Sequence, residues 1–270
     1  MISINSLTVA YGGFVLLNDI NFHISENDKI GLVGKNGAGK STILKLICGL
    51  QSPTNGKVAV PGGMKIGYLP QIMEHHKGRT VIEEAMLAFA DMFALEAELE
   101  AISMELAQRE DYESQGYHDL IVRMNDVNDR LSYSRSENPR VQAERTLIGL
   151  GFKYEELERL TETFSQGWNM RIELAKILLS KPDVLLLDEP TTGLDPRSRR
   201  QLIALLRSFR HTMLIATHDM DMIADLCPRT ILLNEGVVAA DAPTEKIFDH
   251  ASLLERCGLE RPLSWQAREF

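Results

Sequence analysis

The sequence predicts an α/β fold that carries a helical insertion. Short apolar runs at Val184–Leu187 and Met213–Ala216 are typical of parallel strands that are covered on both faces. From about residue 80 to residue 132, the apolar residues instead recur at steps of three and four, which is the period of amphipathic helices. We therefore expect alternating strands and helices towards both ends of the chain, and helices alone in between.

Composition restricts the class of protein. The 270 residues are 44% hydrophobic and 25% charged, which is ordinary for a globular protein with a substantial core. No apolar run approaches the roughly 18–20 residues that span a bilayer, and Met1–Asn5 lacks the basic start of a signal peptide. The three cysteines have no metal-ligand spacing and are odd in number. We expect a cytoplasmic protein without direct membrane insertion, which reaches the inner face of a membrane only through a partner.

The predicted insertion holds most of the negative charge. The net charge is −9, and Asp91 to Ser132 contains eleven acidic residues and three arginines, hence −8, which leaves −1 for the rest. Such a surface does not attract phosphate backbones, and its simplest interpretation is a solvated helical face.

Two apolar stripes predict an antiparallel helix pair in this insertion. A polar segment with Gly116, Gln108–Tyr117, separates the stripes and predicts the connecting turn. We interpret the stripes as surfaces that bury against each other, not as a cofactor site. We expect a single domain over 1–270, with an α/β core of 1–79 and 180–270, a helical subdomain of 80–179 and a helical arm at about 88–132. The stripes consist of Met92, Leu95, Leu99, Ile102 and Leu106, and of Leu120, Met124, Val127 and Leu131.

A phosphate-binding motif lies between a predicted strand and a predicted helix. The segment Gly34–Ser41 matches G-x-x-x-x-G-K-[ST], with a short strand at Lys29–Val33 before it and helical spacing from Ser41 to Gly49 after it. Its glycines let successive N–H groups point at phosphate oxygens, and the helix N-terminus favours anions. Lys40 can reach the β and γ phosphates, and the Ser41 hydroxyl can bind Mg²⁺. The other predicted nucleotide-binding residues here are Gly34, Asn36, Gly37, Gly39 and Thr42.

Two carboxylates follow the apolar run at Leu185–Leu187. Asp188 at the end of a buried strand can hold the magnesium ion, directly or through water. Glu189 is one residue further and can orient or deprotonate the attacking water. The alternative, a strand end that merely meets solvent, loses support because the phosphate-binding motif is present in the same chain.

The order of the motifs resembles that of the ATP-binding cassette family, over nearly the whole chain. The resemblance implies a cassette of the P-loop NTPase class that uses ATP and Mg²⁺ and hydrolyses ATP between two copies of the chain. Besides the residues above, its motifs are Gly67–Gln71, Phe164–Trp168, Asp188–Thr191, Gly193–Asp195 and Thr217–Asp219.

The resemblance also implies roles for six further residues. An aromatic face suits adenine, and imidazole can donate to a γ-phosphate oxygen. A serine and a glycine allow close approach to the γ-phosphate of the other copy's ATP. The implied roles are adenine stacking for Tyr11, metal and water contact for Gln71, γ-phosphate contact for His218, closure over the other copy's nucleotide for Ser165 and Gly167, and a place in the loop that joins the two sites for Asp195.

The signature segment departs from the family's usual Leu-Ser-Gly-Gly-Gln. Gln166 stands where the first glycine is usual, and Trp168 stands where glutamine is usual. A side chain at 166 can crowd the phosphate or restrict the backbone, although its amide could also bind the phosphate or ribose. We expect hindered closure, so that Gln166→Gly raises turnover.

The two halves of the chain resemble different branches of the family. Residues from about Thr80 to Trp168 resemble the F subfamily, whose members act at the ribosome, whereas the tail after Thr191 resembles ATPase subunits of metal-ion and vitamin importers. This contrast suggests a chimera. Three functions stay open: an ATPase subunit beneath a transmembrane transporter subunit, a ribosome-associated ATPase, and an engineered cassette without a physiological partner.

Overall fold

The computed structural model describes residues 1–71, 78–134 and 137–266. The chain divides into two compact units. The described residues of the first fall within Met1–Glu74, Ser165–Met170 and Lys181–Phe270, and those of the second within His75–Phe164 and Arg171–Ser180. The segment Ser165–Met170 thus lies in the first unit, although we expected it in the helical part.

The first unit contains two sheets. In the smaller sheet the order is β2-β1-β4, all antiparallel, and Gly12 and Gly13 form the turn between β1 and β2. In the larger sheet the order is β5-β6-β7-β3-β8-β9, parallel throughout except for the antiparallel pair of β8 and β9. The described strands are β1 (Ile2–Tyr11), β2 (Phe14–Ile24), β3 (Lys29–Val33), β4 (Asn55–Ala59), β5 (Ile66–Leu69), β6 (Val184–Asp188), β7 (Thr212–Thr217), β8 (Arg229–Asn234) and β9 (Val237–Pro243).

The helices of the first unit lie between and after these strands. They are α1 (Lys40–Ile47), α7 (Pro196–Ser208), α8 (Met220–Leu226), α9 (Thr244–Asp249), α10 (Ala251–Arg256) and α11 (Leu263–Gln266). Asp195 caps α7 through the N–H groups of Arg197 and Ser198, and Pro196 occupies the first position of the helix.

The parallel strands form the centre of the core. Side chains of β3, β6 and β7 are buried along nearly their whole length, because helices and the smaller sheet cover them. Leu32, Leu186 and Leu214 belong to one cluster with Ile43 and Leu44 of α1. The carboxyl ends of parallel strands share one edge of a sheet, so the segments that follow β3, β6 and β7 come together there.

The second unit is helical. Its helices are α2 (Val81–Met86), α3 (Ala90–Gln108), α4 (Gln115–Ser134) and α5 (Pro139–Gly149), with short 3-10 helices at Leu87–Phe89, Tyr154–Glu156 and Thr161–Thr163; α6 (Gln166–Leu179) begins in the first unit. Thr80 and Glu83 form a capping box at the start of α2.

The two predicted apolar stripes pack against each other, as the spacing indicates. Met92 and Ile102 of α3 form one buried cluster with Val127 and Leu131 of α4, and the other stripe residues surround it. The connection is shorter than expected, because α4 already begins at Gln115. Among the described helices, no segment is long and apolar enough to cross a membrane. The predicted α/β class with a helical insertion is confirmed.

Candidate active site

The phosphate-binding motif forms the loop between β3 and α1. Gly37 and Gly39 have φ of +81° and +96°, in the left-handed region that favours glycine. A Cβ on Gly39 would lie 2.5 Å from Leu17 Cδ2, so close packing also demands glycine there. The turn places the N-terminus of α1, with its unsatisfied N–H groups, at the edge of the sheet. This is the geometry of an anion-binding site.

Lys40 extends back over this loop. Its Nζ donates to the carbonyl oxygens of Gly34, at 2.8 Å, and Lys35, at 3.2 Å. The same nitrogen lies 3.4 Å from Glu189 Oε1, and Lys40 is only 5% exposed. The ammonium group is therefore already held at the loop by two carbonyls and one carboxylate.

Ser41 and Asp188 meet across the edge of the sheet. The Ser41 hydroxyl donates to Asp188 Oδ1 at 2.9 Å, and the Tyr68 hydroxyl donates to Oδ2 at 3.4 Å. Burial, and then the neighbouring Glu189 charge, raise the pKa of Asp188 above its ordinary value. Burial and the Asp188 charge likewise raise the pKa of Tyr68.

Glu189 is the most constrained carboxylate of the site. It follows β6 with φ of +47°, which is rare for a residue with a side chain, and its N–H donates to Ala216 O at 2.8 Å. Thr217 Oγ1 donates to Glu189 Oε2 at 2.9 Å, and His218 Nδ1 lies 2.9 Å from the same oxygen. Glu189 is 7% exposed, so these groups fix a buried carboxylate beside Lys40.

Asp219 links the segments that follow β6 and β7 to α7. It caps α8 through Met222 N–H, and Arg199 of α7 donates two hydrogen bonds of 2.6 Å to its carboxylate. Burial raises the pKa of Asp219, but the bonds from Arg199 and from the Met222 N–H outweigh it, and the net pKa is lowered. A fourth bond, from Thr191 Oγ1, ties this ion pair to the segment after Glu189.

A cavity of about 510 Å³ opens over these groups. Its walls come from the phosphate loop, from Gln71 and from the segments after β6 and β7. The volume is in the range of small-molecule sites, and the chemistry of the walls suits a polyphosphate. The lining residues are Leu16, Asn36, Gly37, Gly39, Lys40, Ser41, Thr42, Gln71, Glu189, Thr192 and His218.

Comparison with known proteins identifies the family. The profile of the ABC transporter family matches residues 17–192. A protein of Geobacter sulfurreducens described as an ABC transporter ATP-binding protein is 37% identical over 257 residues, 94% of this chain and 90% of its own length. The chain belongs to the ABC family and is an ATPase. Because this relative aligns across both halves of the cassette, the comparisons give no evidence of a chimera.

The relatives of this cassette include members of the F branch of the ABC family. The ABC transporter F family member 2 of Arabidopsis thaliana is 33% identical over 239 residues, which cover 87% of this cassette but 35% of that protein. The cassette thus spans about a third of that longer relative. A dimeric post-hydrolysis structure of an ATP-binding cassette with ADP and Pi superposes with a TM-score of 0.66 at 20% identity, over 90% of this chain and 99% of the other. At this identity the likeness shows the fold, an ABC-type P-loop NTPase.

The structure brings some of the predicted site residues of the cassette together and leaves others apart. The phosphate loop, Gln71, Glu189 and His218 share the large cavity, and Asp188 adjoins it through Ser41. Besides Asp188, five predicted residues among the described ones do not line it. Gly34 lies behind the loop, where its carbonyl accepts from Lys40. Tyr11 is exposed at the end of β1 and bonds Gln51, Ser165 is exposed, Gly167 is buried in the first turn of α6, and Asp195 bonds its own helix α7.

Sequence reasoning missed several groups that position the cassette's carboxylates. Thr217 holds Glu189, Tyr68 holds Asp188, and the Arg199–Asp219 pair ties together the loops after β6 and β7. Thr217 could have been found, since it ends an apolar run directly before His218. Arg199 has no such local signal, because its partner is 20 residues away on another helix.

Proposed function

We propose that this ABC ATPase binds Mg-ATP at the phosphate loop and hydrolyses it as a dimer with a second copy, as the ATPase subunit of a transporter. The Lys40–Glu189 contact within the 510 Å³ cavity carries the catalytic part of this proposal. It places a triphosphate-binding cation and a candidate general base at one point. The two compact units would then be the ATPase core and the helical subdomain of one nucleotide-binding domain.

ATP binding rests on the loop, on α1 and on Lys40. The N–H groups of the loop and of the helix N-terminus would hold the β phosphate, and Lys40 Nζ would turn from its carbonyl partners to the β and γ oxygens. Asn36 and Thr42 lie in the same wall and can donate further hydrogen bonds. Tyr11 remains our proposal for the adenine platform, on the strength of its exposed ring alone.

The residues present fit a magnesium ion. Ser41 Oγ and Asp188 Oδ1 lie 2.9 Å apart, which gives a hydroxyl and a carboxylate at one point. Mg²⁺ bound with nucleotide takes few protein oxygens and completes its shell with phosphates and water, and Gln71 is the third candidate. When bound, the ion would neutralise charge on the β and γ phosphates.

Hydrolysis would use Glu189 as the group that orients or deprotonates water. Thr217 and His218 hold its Oε2, which leaves Oε1 beside Lys40 and the cavity. A proton taken from water would reside on this carboxylate. His218 is half-exposed and lines the cavity, and it would turn from Glu189 to donate to a γ-phosphate oxygen and stabilise the developing charge.

The second copy would complete each site. Ser165 and Asp195 are exposed away from the large cavity, so within one chain neither reaches the nucleotide. In a dimer, Ser165 and Gly167 of one copy would close over the γ-phosphate bound to the other. The dimeric solved cassette supports this assembly as a precedent for the fold.

The transporter role is favoured over the ribosomal one by the span of the relatives. The Geobacter sulfurreducens relative is matched over 90% of its length and is described as an ABC transporter ATP-binding protein. By this proposal the cassette lies at the cytoplasmic face of a membrane through a transmembrane partner. The Arabidopsis thaliana relative and the α3–α4 pair keep an F-type ribosomal function as the second candidate.

Two measurements test this proposal. Purified cassette should hydrolyse ATP only with Mg²⁺, and absence of turnover in the parent chain would refute the catalytic part. Pull-down from cell extract in the presence of ATP, with Glu189→Gln as bait, should recover integral membrane proteins. Recovery of ribosomes instead would favour the second candidate.

A further inference from the structure

The side chain of Gln166 makes an unexpected contact within its own chain. Gln166 begins α6, and its carboxamide lies against Gly193, which has φ of +75°. A Cβ on Gly193 would lie 2.8 Å from Gln166 Oε1 and 3.2 Å from Cδ. Gly193 follows Glu189 by four residues, so this contact touches the loop that leaves the catalytic carboxylate.

A second contact joins the same two segments. Gly167 is buried, and a Cβ there would lie 3.0 Å from Leu194 Cδ2 and 3.5 Å from Ser198 Cβ. The start of α6 and the loop of residues 192–194 therefore pack without space between them. Glycine at 167 and at 193 permits this approach, and the exposed side chain of Gln166 lies over Gly193.

Gln166 also lines a small cavity beside the carboxylates. The cavity has a volume of about 10 Å³, roughly the space of one water molecule. Gln71, Asp188, Glu189 and Thr192 line it as well, all from the same unit. Gln166 thus lines the same small cavity as Glu189, the candidate general base of its own chain.

We propose that Gln166 is a positioning residue for hydrolysis in its own chain: it holds the loop after Glu189, and with it the Glu189 carboxylate. This inference rests on the proposed function. It replaces the expectation that the side chain crowds a partner's phosphate. Glu189 and Thr191 are held by bonds to the end of β7 and the segment after it, whereas the backbone hydrogen bonds of residues 192–194 are internal turn bonds, so the amide supplies a restraint at the exposed end of the loop.

Kinetics of Gln166→Ala test this role. We expect kcat to fall by about tenfold with KM for ATP unchanged, because a small misplacement of a catalytic group costs rate but not ground-state binding. Gln115→Ala, at the exposed first residue of α4, is the matched control and should keep parental kcat. Equal or higher kcat in Gln166→Ala would overturn the proposal.

The isosteric variant Gln166→Glu separates positioning from packing. It keeps the shape of the side chain but places a negative charge beside Asp188 and Glu189, which line the same small cavity. We expect kcat to fall by about tenfold with KM for ATP unchanged, as in Gln166→Ala. A parental kcat in Gln166→Glu would show that the side chain does not face these carboxylates.

A double-mutant cycle checks the contact without nucleotide. Gly193→Ala strains the backbone in every background, but its clash with the amide exists only when Gln166 is present. Urea unfolding should therefore show a smaller loss for Gly193→Ala in the Gln166→Ala background. Equal losses of stability for Gly193→Ala in both backgrounds would show that Gln166 and Gly193 are not in contact. A parent that binds ATP without turning it over would refute the proposed function instead.

Mixed dimers decide which copy Gln166 serves. In a dimer with Glu189→Gln in one copy, the working site uses the Glu189 of the other copy. Gln166→Ala should lower turnover when it is placed in the copy that keeps Glu189. It should have no effect when it is placed in the copy that carries Glu189→Gln. The opposite pattern would assign Gln166 to the partner's site and overturn the proposal.

Discussion

Replacing Glu189 by glutamine should separate ATP binding from hydrolysis. Glu189 Oε1 lies 3.4 Å from Lys40 Nζ, so in the nucleotide-free chain the carboxylate competes with phosphate for this cation. At an effective dielectric constant of about 20, two unit charges at this distance attract by about 5 kcal/mol. Water in the open cavity screens part of this attraction.

We expect Glu189→Gln to bind ATP about tenfold more tightly, a gain of about 1.4 kcal/mol. Its turnover should fall by about two orders of magnitude or more, because glutamine cannot accept the proton from water. Thr217 and His218 can both still bond the glutamine side chain, so the fold of the site is retained.

Calorimetry with a non-hydrolysable ATP analogue and a phosphate-release assay measure the two effects separately. Glu245→Gln, an exposed residue of α9, is the control and should change neither. Turnover within threefold of the parent would remove Glu189 from the catalytic role. Unchanged or weaker affinity would refute competition for Lys40.

Three further predictions follow from the same geometry. Lys40→Ala should abolish tight ATP binding, since it removes the cation that reaches the β and γ phosphates; unchanged calorimetric affinity would contradict this. The chain should be monomeric without nucleotide, and Glu189→Gln should dimerise with Mg-ATP through Ser165; light scattering that shows no response to ATP would contradict the sandwich. Asp188→Asn should raise the melting temperature of the chain without nucleotide near neutral pH, and the gain should shrink as pH falls toward 3.8. The reason is that a carboxyl whose pKa is raised in the folded state destabilises the fold at pH values above its ordinary pKa. A gain independent of pH would count against burial of the charge.

The local features of the site could be predicted from the sequence. The phosphate loop is defined by glycines and a lysine within eight residues, and Asp188 and Glu189 directly follow an apolar strand. The packing of α3 against α4 could also be predicted, because each helix has an apolar stripe and the two helices follow each other along the chain.

Contacts set by pairing between distant segments could not be predicted. Thr217 reaches Glu189 because β6 and β7 pair in one register, with Asp188 opposite Ala216. The family pattern has glycine where this chain has Gln166, and from that pattern alone the side chain is expected to hinder closure. Its contact with Gly193 depends on how α6 packs against a loop 27 positions later in the chain. Spacing along the chain carries no information on either.

Two buried carboxylates and one buried cation meet in the candidate site, and by the proposed function ATP would act on the cassette through them. Asp188 and Glu189 are 2% and 7% exposed, and Lys40 is the cation beside them, so two buried negative charges face one positive charge. Burial, and to a lesser extent the neighbouring Glu189 charge, raise the pKa of Asp188. Glu189 adds backbone strain at φ of +47°. By the proposed function, a ligand that brings Mg²⁺ to Asp188 and phosphate oxygens to Lys40 would offset this charge imbalance and so stabilise the loops after β6 and β7. Those loops carry Gly193 and His218, one packed on Gln166 and the other bonded to Glu189. By the proposed function, nucleotide binding, the position of the Glu189 carboxylate and the surface that would meet a second copy are coupled through the two loops that follow β6 and β7.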